Sequence, residues 1–219
     1  FDVPYEFLKI YLNLLGSLSM FVLPMLSMGL YAEERKQGTL ELLATSPLTN
    51  WVVALGKLLG VATFYSAMLV PLMICQLVAL SSSEPTFQVS IFLLGHVGLL
   101  LLATGVLSLG MFISSLSEST VLAAVMQFGV ELLLWFVDAI ATALPGPIGE
   151  AISHISLLKH YTDFTQGILD TSGLVLFASY IILGVFLTAQ SNDTRRFQRS
   201  YMKPSTFLKY LIWPALPLV

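Results

Sequence analysis

The chain alternates long charge-free apolar stretches with short polar punctuation. Five stretches stand out: Ile10 to about Tyr31, Leu58 to about Leu80, a run within Phe87 to Ile113, Thr120 to about Ala143, and Ser172 to about Gln190. An ionised side chain at mid-bilayer costs roughly 3 kcal/mol, so charge-free runs of this kind mark membrane spans. Roughly 20 residues, each rising about 1.5 Å, cross a hydrocarbon core about 30 Å thick. None of the runs alternates with period two. In lipid only a helix or a closed barrel satisfies its own backbone, so the pattern predicts helices. The expected fold class is an all-α polytopic membrane protein with five transmembrane helices.

Composition agrees with this. The 219 residues are 56% hydrophobic and only 11% charged, where ordinary soluble domains carry about 25% charge. The net charge of -3 says little by itself, and the lack of a basic stripe with interleaved aromatics sets a nucleic-acid partner aside. The single cysteine, Cys75, offers neither a disulfide framework nor a thiolate metal site and is expected to serve packing. The N-terminus has no basic region leading into an apolar stretch and does not read as a signal peptide. Both ends read as cut from a longer chain.

Lysine and arginine set the orientation. Of the ten basic residues, Arg35, Lys36 and Lys57 lie between spans one and two. Arg195, Arg196, Arg199, Lys203 and Lys209 follow span five, leaving only Lys9 and Lys159 for the other side. The first side is expected to be cytoplasmic, with the chain starting outside. Residues 1–190 then form the transmembrane domain, and 191–219 form a basic cytoplasmic tail that turns apolar and opens a further membrane segment.

The connections differ in character. Ser81 to Glu84 and Ser114 to Ser119 are short. The outer segment 144–170 begins Pro145-Gly146-Pro147, and Ile148, Ile152, Ile155 and Leu158 then recur at helical spacing, which predicts one short helix in the outer interface. The cytoplasmic segment 32–50 is the most patterned. Gly38 can release the backbone after the first helix, and Thr39 can cap a second. Leu40, Leu43 and Ala44 then share one face, and Ser46-Pro47 reads as the N-cap and first position of the next long helix. A simple turn needs far fewer residues. The excess of mixed charge and exposed leucine is expected to serve as a docking surface for a soluble partner.

The string Glu33-Glu34-Arg35, Gly38-Thr39-Leu40-Glu41-Leu42-Leu43 and Thr45-Ser46-Pro47 resembles the signature of type-2 ATP-binding cassette (ABC) exporter permeases, notably the gliding-motility and nitrous-oxide-reductase-maturation subgroup. His160, Phe164, Gly167-Ile168-Leu169-Asp170, Tyr180 and Arg195-Arg196 resemble that family's last outer segment, last span and basic tail. The resemblance implies six spans with both ends cytoplasmic, so the family's first span would precede Phe1. It implies a bacterial-type inner-membrane permease, paired with a second permease subunit as a homo- or heterodimer. Two cytoplasmic ABC ATPase subunits would bind ATP and Mg, and Glu33 to Leu43 would sit in a groove of the ATPase. The chain itself carries no Walker lysine motif, since Gly56-Lys57 is followed by Leu58, so no catalytic chemistry is expected of it.

Glu131 and Asp138 lie seven apart on span four and share one face. Glu131 is near mid-span and must meet protein, water or a partner, so the pair are candidates for a translocation pathway. An ion-coupled carrier using these two carboxyls is the main alternative function, and a non-transporting scaffold subunit the second. His96 reads as a packed polar residue. His154, His160 and Asp163 do not match a metal-binding spacing, and no metal is expected. Gly56 and Gly60 have the small-xxx-small spacing of close helix contacts, while Pro24 and Pro71 are expected to kink their spans.

Overall fold

The computed structural model describes residues 3–39, 48–81, 88–144 and 146–201. The described residues form eight helices: α1 (Val3–Ser27), α2 (Gly29–Gln37), α3 (Asn50–Ser81), α4 (Val89–Leu116), α5 (Thr120–Ala143), α6 (Pro147–Ser153), α7 (Leu157–Thr165) and α8 (Thr171–Tyr201). No strand occurs among the described residues. Among the described residues five stretches are long and apolar enough to cross a membrane: Pro4–Gln37, which joins α1 to α2, then Asn50–Ser81, Val89–Leu116, Thr120–Ala143 and Thr171–Asp193. The chain is an integral multi-pass membrane protein.

Helix α4 is the pillar. Of its membrane window 67% is buried inside the bundle, against 17% for α5 and 22% for α3, so the other helices wrap around it and turn much of their own surface outward. Small residues bring it close to its neighbours. A Cβ on Gly184 of α8 would fall 2.5 Å from Ser108 Oγ, and that hydroxyl donates across the contact to the Tyr180 carbonyl at 3.1 Å. A Cβ on Gly98 would fall 2.6 Å from Cβ of Phe164 in α7. Leu99, Leu107 and Met111 fill the layer between these contacts and are fully buried.

The first span is interrupted at Met28, and the cause is visible. Pro24 has no N–H to donate, and Ser27 Oγ bonds back to the Leu23 carbonyl at 3.0 Å, in competition with the helix ladder. Ser114 of α4 enters the gap. Its hydroxyl accepts from the backbone N–H groups of Tyr31 and Ala32, both at 3.0 Å, and donates to the Met28 carbonyl at 2.7 Å. A side chain inserted into the hydrogen-bond ladder is a recognised source of helix bends. Helix α3, by contrast, runs unbroken through Pro71.

Several boundaries differ from the sequence reading. The helices run past the charge-free stretches: the first span continues to Gln37, α3 already begins at Asn50, ahead of Leu58, and α8 continues to Tyr201. Charge marks where the chain leaves the apolar layer, but without a breaker the helix carries on into the polar region. The expected start of the second long helix at Ser46-Pro47 is corrected to Asn50. Leu48 and Thr49 are non-helical, and the Thr49 carbonyl accepts the Val53 N–H at 3.2 Å. Leu40, Glu41, Leu42, Leu43, Ser46 and Pro47 lie outside the described residues.

The outer segment is two helices and not one. Ser156 interrupts it: a tight turn leads into it, and its Oγ caps α7 by accepting from Lys159 N at 3.2 Å. The break rotates the apolar face. Ile148 and Ile155 stay exposed, as an interfacial helix requires, whereas Leu157, Tyr161 and Phe164 of α7 turn into the bundle and are buried. Tyr161 Oη donates to the Leu12 carbonyl at 2.6 Å, passing over Gly16, where a Cβ would lie 2.9 Å from the ring. Cys75 faces outward and is not part of the core. Gly56 and Gly60 also face outward, with no atom within 4 Å of a Cβ placed on either.

Candidate functional site

Two places gather polar side chains. The first is the end of the bundle where α2 stops. Gly38 ends that helix in the left-handed conformation, with φ of 73°, its N–H on the Arg35 carbonyl at 3.2 Å and the Thr39 N–H on the Glu34 carbonyl at 3.0 Å. This crossed pair of bonds is the Schellman ending that glycine favours. It gives Gly38 the releasing role expected of it, while Thr39 closes the first helix through these bonds.

Just before that ending the charged residues divide by direction. Glu34 turns inward and meets Lys57 of α3, with Nζ to Oε1 at 2.5 Å. The same ammonium donates to the Leu30 carbonyl at 2.6 Å and lies 4.6 Å from the centre of the Tyr31 ring. Arg35 reaches the other way. Its guanidinium donates to the carbonyls of Ser115 and Ser117, the last being 3.0 Å away, and so caps the C-terminal end of α4. Glu33 stays outside and accepts from Gln37 Nε2 at 2.9 Å. Asn50, at the start of α3, donates to Asp193 Oδ1 of α8 at 2.5 Å. The end of α2 is thus clamped to α3 and to the α4–α5 turn, and Lys36, Gln37, Gly38 and Thr39 remain exposed beyond the clamp.

The second place is inside the bundle. Glu131 is 2% exposed and accepts through Oε1 from Gln127 Nε2 at 3.2 Å, while its Oε2 is buried with no hydrogen-bond partner among the described residues. Gln127 is itself fixed. Ser27, whose one hydroxyl hydrogen is shared with the Leu23 carbonyl, donates to its Oε1, and a Cβ on Gly110 of α4 would come within 1.9 Å of that oxygen. Glu131 borders a cavity of about 30 Å³ between α1, α4, α5 and α7, whose other walls include Ser19, Leu23, Leu102 and Leu157. Ser19 shares a 2.5 Å hydroxyl contact with Tyr65.

Asp138 does not join this site. Two turns along α5, it accepts from Ser156 Oγ at 2.6 Å and ties the end of α5 to the start of α7. His96 Nδ1 contacts the Phe92 carbonyl at 2.8 Å inside its own helix. At the far end His160 lies between Asp170, 3.7 Å away, and Asp163, 4.0 Å away. Among the described residues no three His, Cys, Asp or Glu side chains gather as a metal would require.

Lys57, Ser114, Gln127 and Ser27 complete these two places and were not singled out as site residues from the sequence. Gln127 carried a usable signal, since it precedes Glu131 by one helical turn on a span otherwise poor in polar residues. The partners on other helices carried none, because nothing local says which spans meet.

No curated protein matches the chain. Residues 18–219, nearly its whole length, match the family described as ABC-2 family transporter protein, and the chain belongs to that family, as a membrane-spanning permease of an ABC transporter.

Proposed function

We propose that this permease is driven by a separate ATPase subunit that docks on the segment around Glu33 to Leu43, and that it exports its substrate. The observation that carries this reading is the clamp at the end of α2. Lys57 and Arg35 bind that end to α3 and to the α4–α5 turn, so a force applied at the exposed residues Lys36 to Thr39 is handed to three spans at once. Packed helices repack between discrete arrangements more readily than they bend continuously, so such a push suits a two-state transport cycle. The excess of basic residues at this end supports a cytoplasmic location for it, and hence an inner-membrane protein accessible to a cytoplasmic ATPase. The likeness of residues 33–47 to the gliding-motility and nitrous-oxide-reductase-maturation permeases supports the same docking role. A pair of permease subunits and a pair of ATPases, with ATP and Mg held by the latter, is the assembly proposed.

The test is copurification in mild detergent followed by ATPase assay in lipid. The expected result is an ABC ATPase that copurifies with the parent chain and whose turnover rises with it. Glu41→Ala with Leu43→Ala should separate ATP turnover from transport. Retention of both copurification and stimulated turnover after scrambling residues 33–43 would overturn the reading.

A further inference from the structure

The first span is interrupted at Met28, yet the backbone is not strained there. Met28 keeps helical dihedrals, φ −56° and ψ −36°, and its N–H bonds the Pro24 carbonyl at 3.0 Å. The change lies in the hydrogen bonds just beyond. In an unbroken helix the Tyr31 N–H would bond the Ser27 carbonyl. Here it bonds Ser114 Oγ of α4 at 3.0 Å, the Ala32 N–H reaches the same oxygen at 3.0 Å, and the hydroxyl donates to the Met28 carbonyl at 2.7 Å. This one buried hydroxyl is filled to its capacity of two accepted bonds and one donated.

That arrangement has a ready alternative. Because Met28 is already helical, closing the break asks for an exchange of partners and not for a backbone flip. The Tyr31 N–H would return to the Ser27 carbonyl. The Ser114 hydroxyl would turn to a carbonyl of its own helix, as the hydroxyls of Ser108 and Ser115 do at Gly105 and Phe112, 2.7 and 2.6 Å away. The N–H groups and the hydroxyl are satisfied in either form, so neither form carries the penalty of a buried unmade bond.

Gly29 tilts the balance toward the broken form. Its φ is not positive, and a Cβ there would meet only Glu33 Cβ at 3.9 Å, an ordinary contact. Neither backbone conformation nor packing calls for glycine, so its effect at this place is to weaken the helix beside the break. The pieces on either side are anchored separately. Lys57 and Arg35 fasten α2 to α3 and to the α4–α5 turn, while Ser27 fastens the end of α1 to Gln127 of α5.

We propose that the first span is a two-state hinge at Met28, that the Ser114 hydroxyl is the catch holding it broken, and that α2 swings against α1 when the catch lets go. The hinge rests on the ATP-driven reading for the source of its force, since α2 is where the push would arrive. A change of about 20° at the break would carry the far end of α2, nine residues on, through about 5 Å.

The experiment uses the full chain in nanodiscs, without ATP or ATPase, so its failure counts against the hinge alone and absence of a copurifying ATPase against the drive alone. With Cys75→Ser as background, spin-label pairs at the exposed positions Lys36 with Val121 and Ile10 with Ile140 report how α2 and α1 stand relative to α5. Ser114→Ala and Gly29→Ala should each move the distances of at least one pair by about 5 Å or more toward the same second peak. Ser114→Thr keeps the hydroxyl and should keep the parent's distances. Hydrogen exchange across Met28 to Ala32 should stay slow in Ser114→Ala, because the closed helix takes over the freed N–H groups. Unchanged distances in both alanine variants would overturn the proposal. Faster exchange across Met28 to Ala32 in Ser114→Ala would overturn it as well, by showing that the hydroxyl merely fills a fixed break. Should Ser114→Ala fail to fold, Gly29→Ala, which meets no clash, decides by the same distances.

Discussion

Lys57 of α3 holds Glu34 of α2 at 2.5 Å, across a half-buried contact where the side chains are 16% and 31% exposed. The pair is more than a surface ion pair, because the ammonium also bonds the Leu30 carbonyl and sits against Tyr31. Exposed pairs contribute about 0.2–1 kcal/mol, and a hydrogen bond to a charged group about 1.5–3 kcal/mol. Lys57→Met is therefore expected to cost about 2 kcal/mol and Glu34→Gln about 1 kcal/mol. A double-mutant cycle on denaturation midpoints in nanodiscs should return a coupling near 1 kcal/mol. Additive losses would mean that the two residues act separately.

Arg35 makes the second half of the clamp with a planar fork on two carbonyls that end α4. Lysine carries the charge but cannot span both acceptors in that geometry. Arg35→Lys should loosen the Ser117–Ser119 turn at a cost of about 1 kcal/mol, seen as faster hydrogen exchange at Ser117 and Glu118. Exchange in α8 should be unaffected. Protection unchanged at the turn would show that the second contact is dispensable.

The spans were legible because they depend on hydropathy alone, and Gly38 was legible because a left-handed helix ending is a local demand. What escaped depended on tertiary contact. The break at Met28 owes as much to Ser114, 86 residues away, as to nearby Pro24. Ser156 and the rest of the outer segment read as one amphipathic run, since nothing local says that Tyr161 will reach the Leu12 carbonyl. Glu131 and Asp138 read as one face, yet the first meets Gln127 inside the bundle and the second a capping serine, because helix packing gives each turn of α5 a different neighbour.

The glycines supply a paired test. A Cβ at Gly98 would lie 2.6 Å from Phe164 Cβ, an atom fixed to the α7 backbone, so Gly98→Ala must push α7 outward. Overpacking of this kind costs about 1–3 kcal/mol. Gly60 meets nothing within 4 Å, so Gly60→Ala carries no clash and should stabilise α3 by up to about 1 kcal/mol through helix propensity. Thermal midpoints of the two variants should move in opposite directions. A destabilised Gly60→Ala would point to a second copy packed on that face.

Asp170 supplies a pH dependence with a definite sign. Its carboxylate accepts from the Ser172 hydroxyl and, at 3.1 Å, from the Ser172 N–H at the start of α8, and these two bonds hold its pKa below the usual aspartate value, with His160 and His154 adding to the effect. A carboxyl depressed in the folded state contributes stability that is fully present above its unfolded pKa of about 3.9 and is lost as pH falls through the lower folded value. Melting midpoints should therefore stay level from this carboxyl's point of view between pH 7 and 5 and decline below about pH 4. Asp170→Asn keeps an acceptor for the Ser172 N–H but removes the titration, so its acid decline should be shallower than the parent's. Parallel declines in the two proteins would assign the acid sensitivity to other carboxyls and leave Asp170 as a cap whose charge is immaterial.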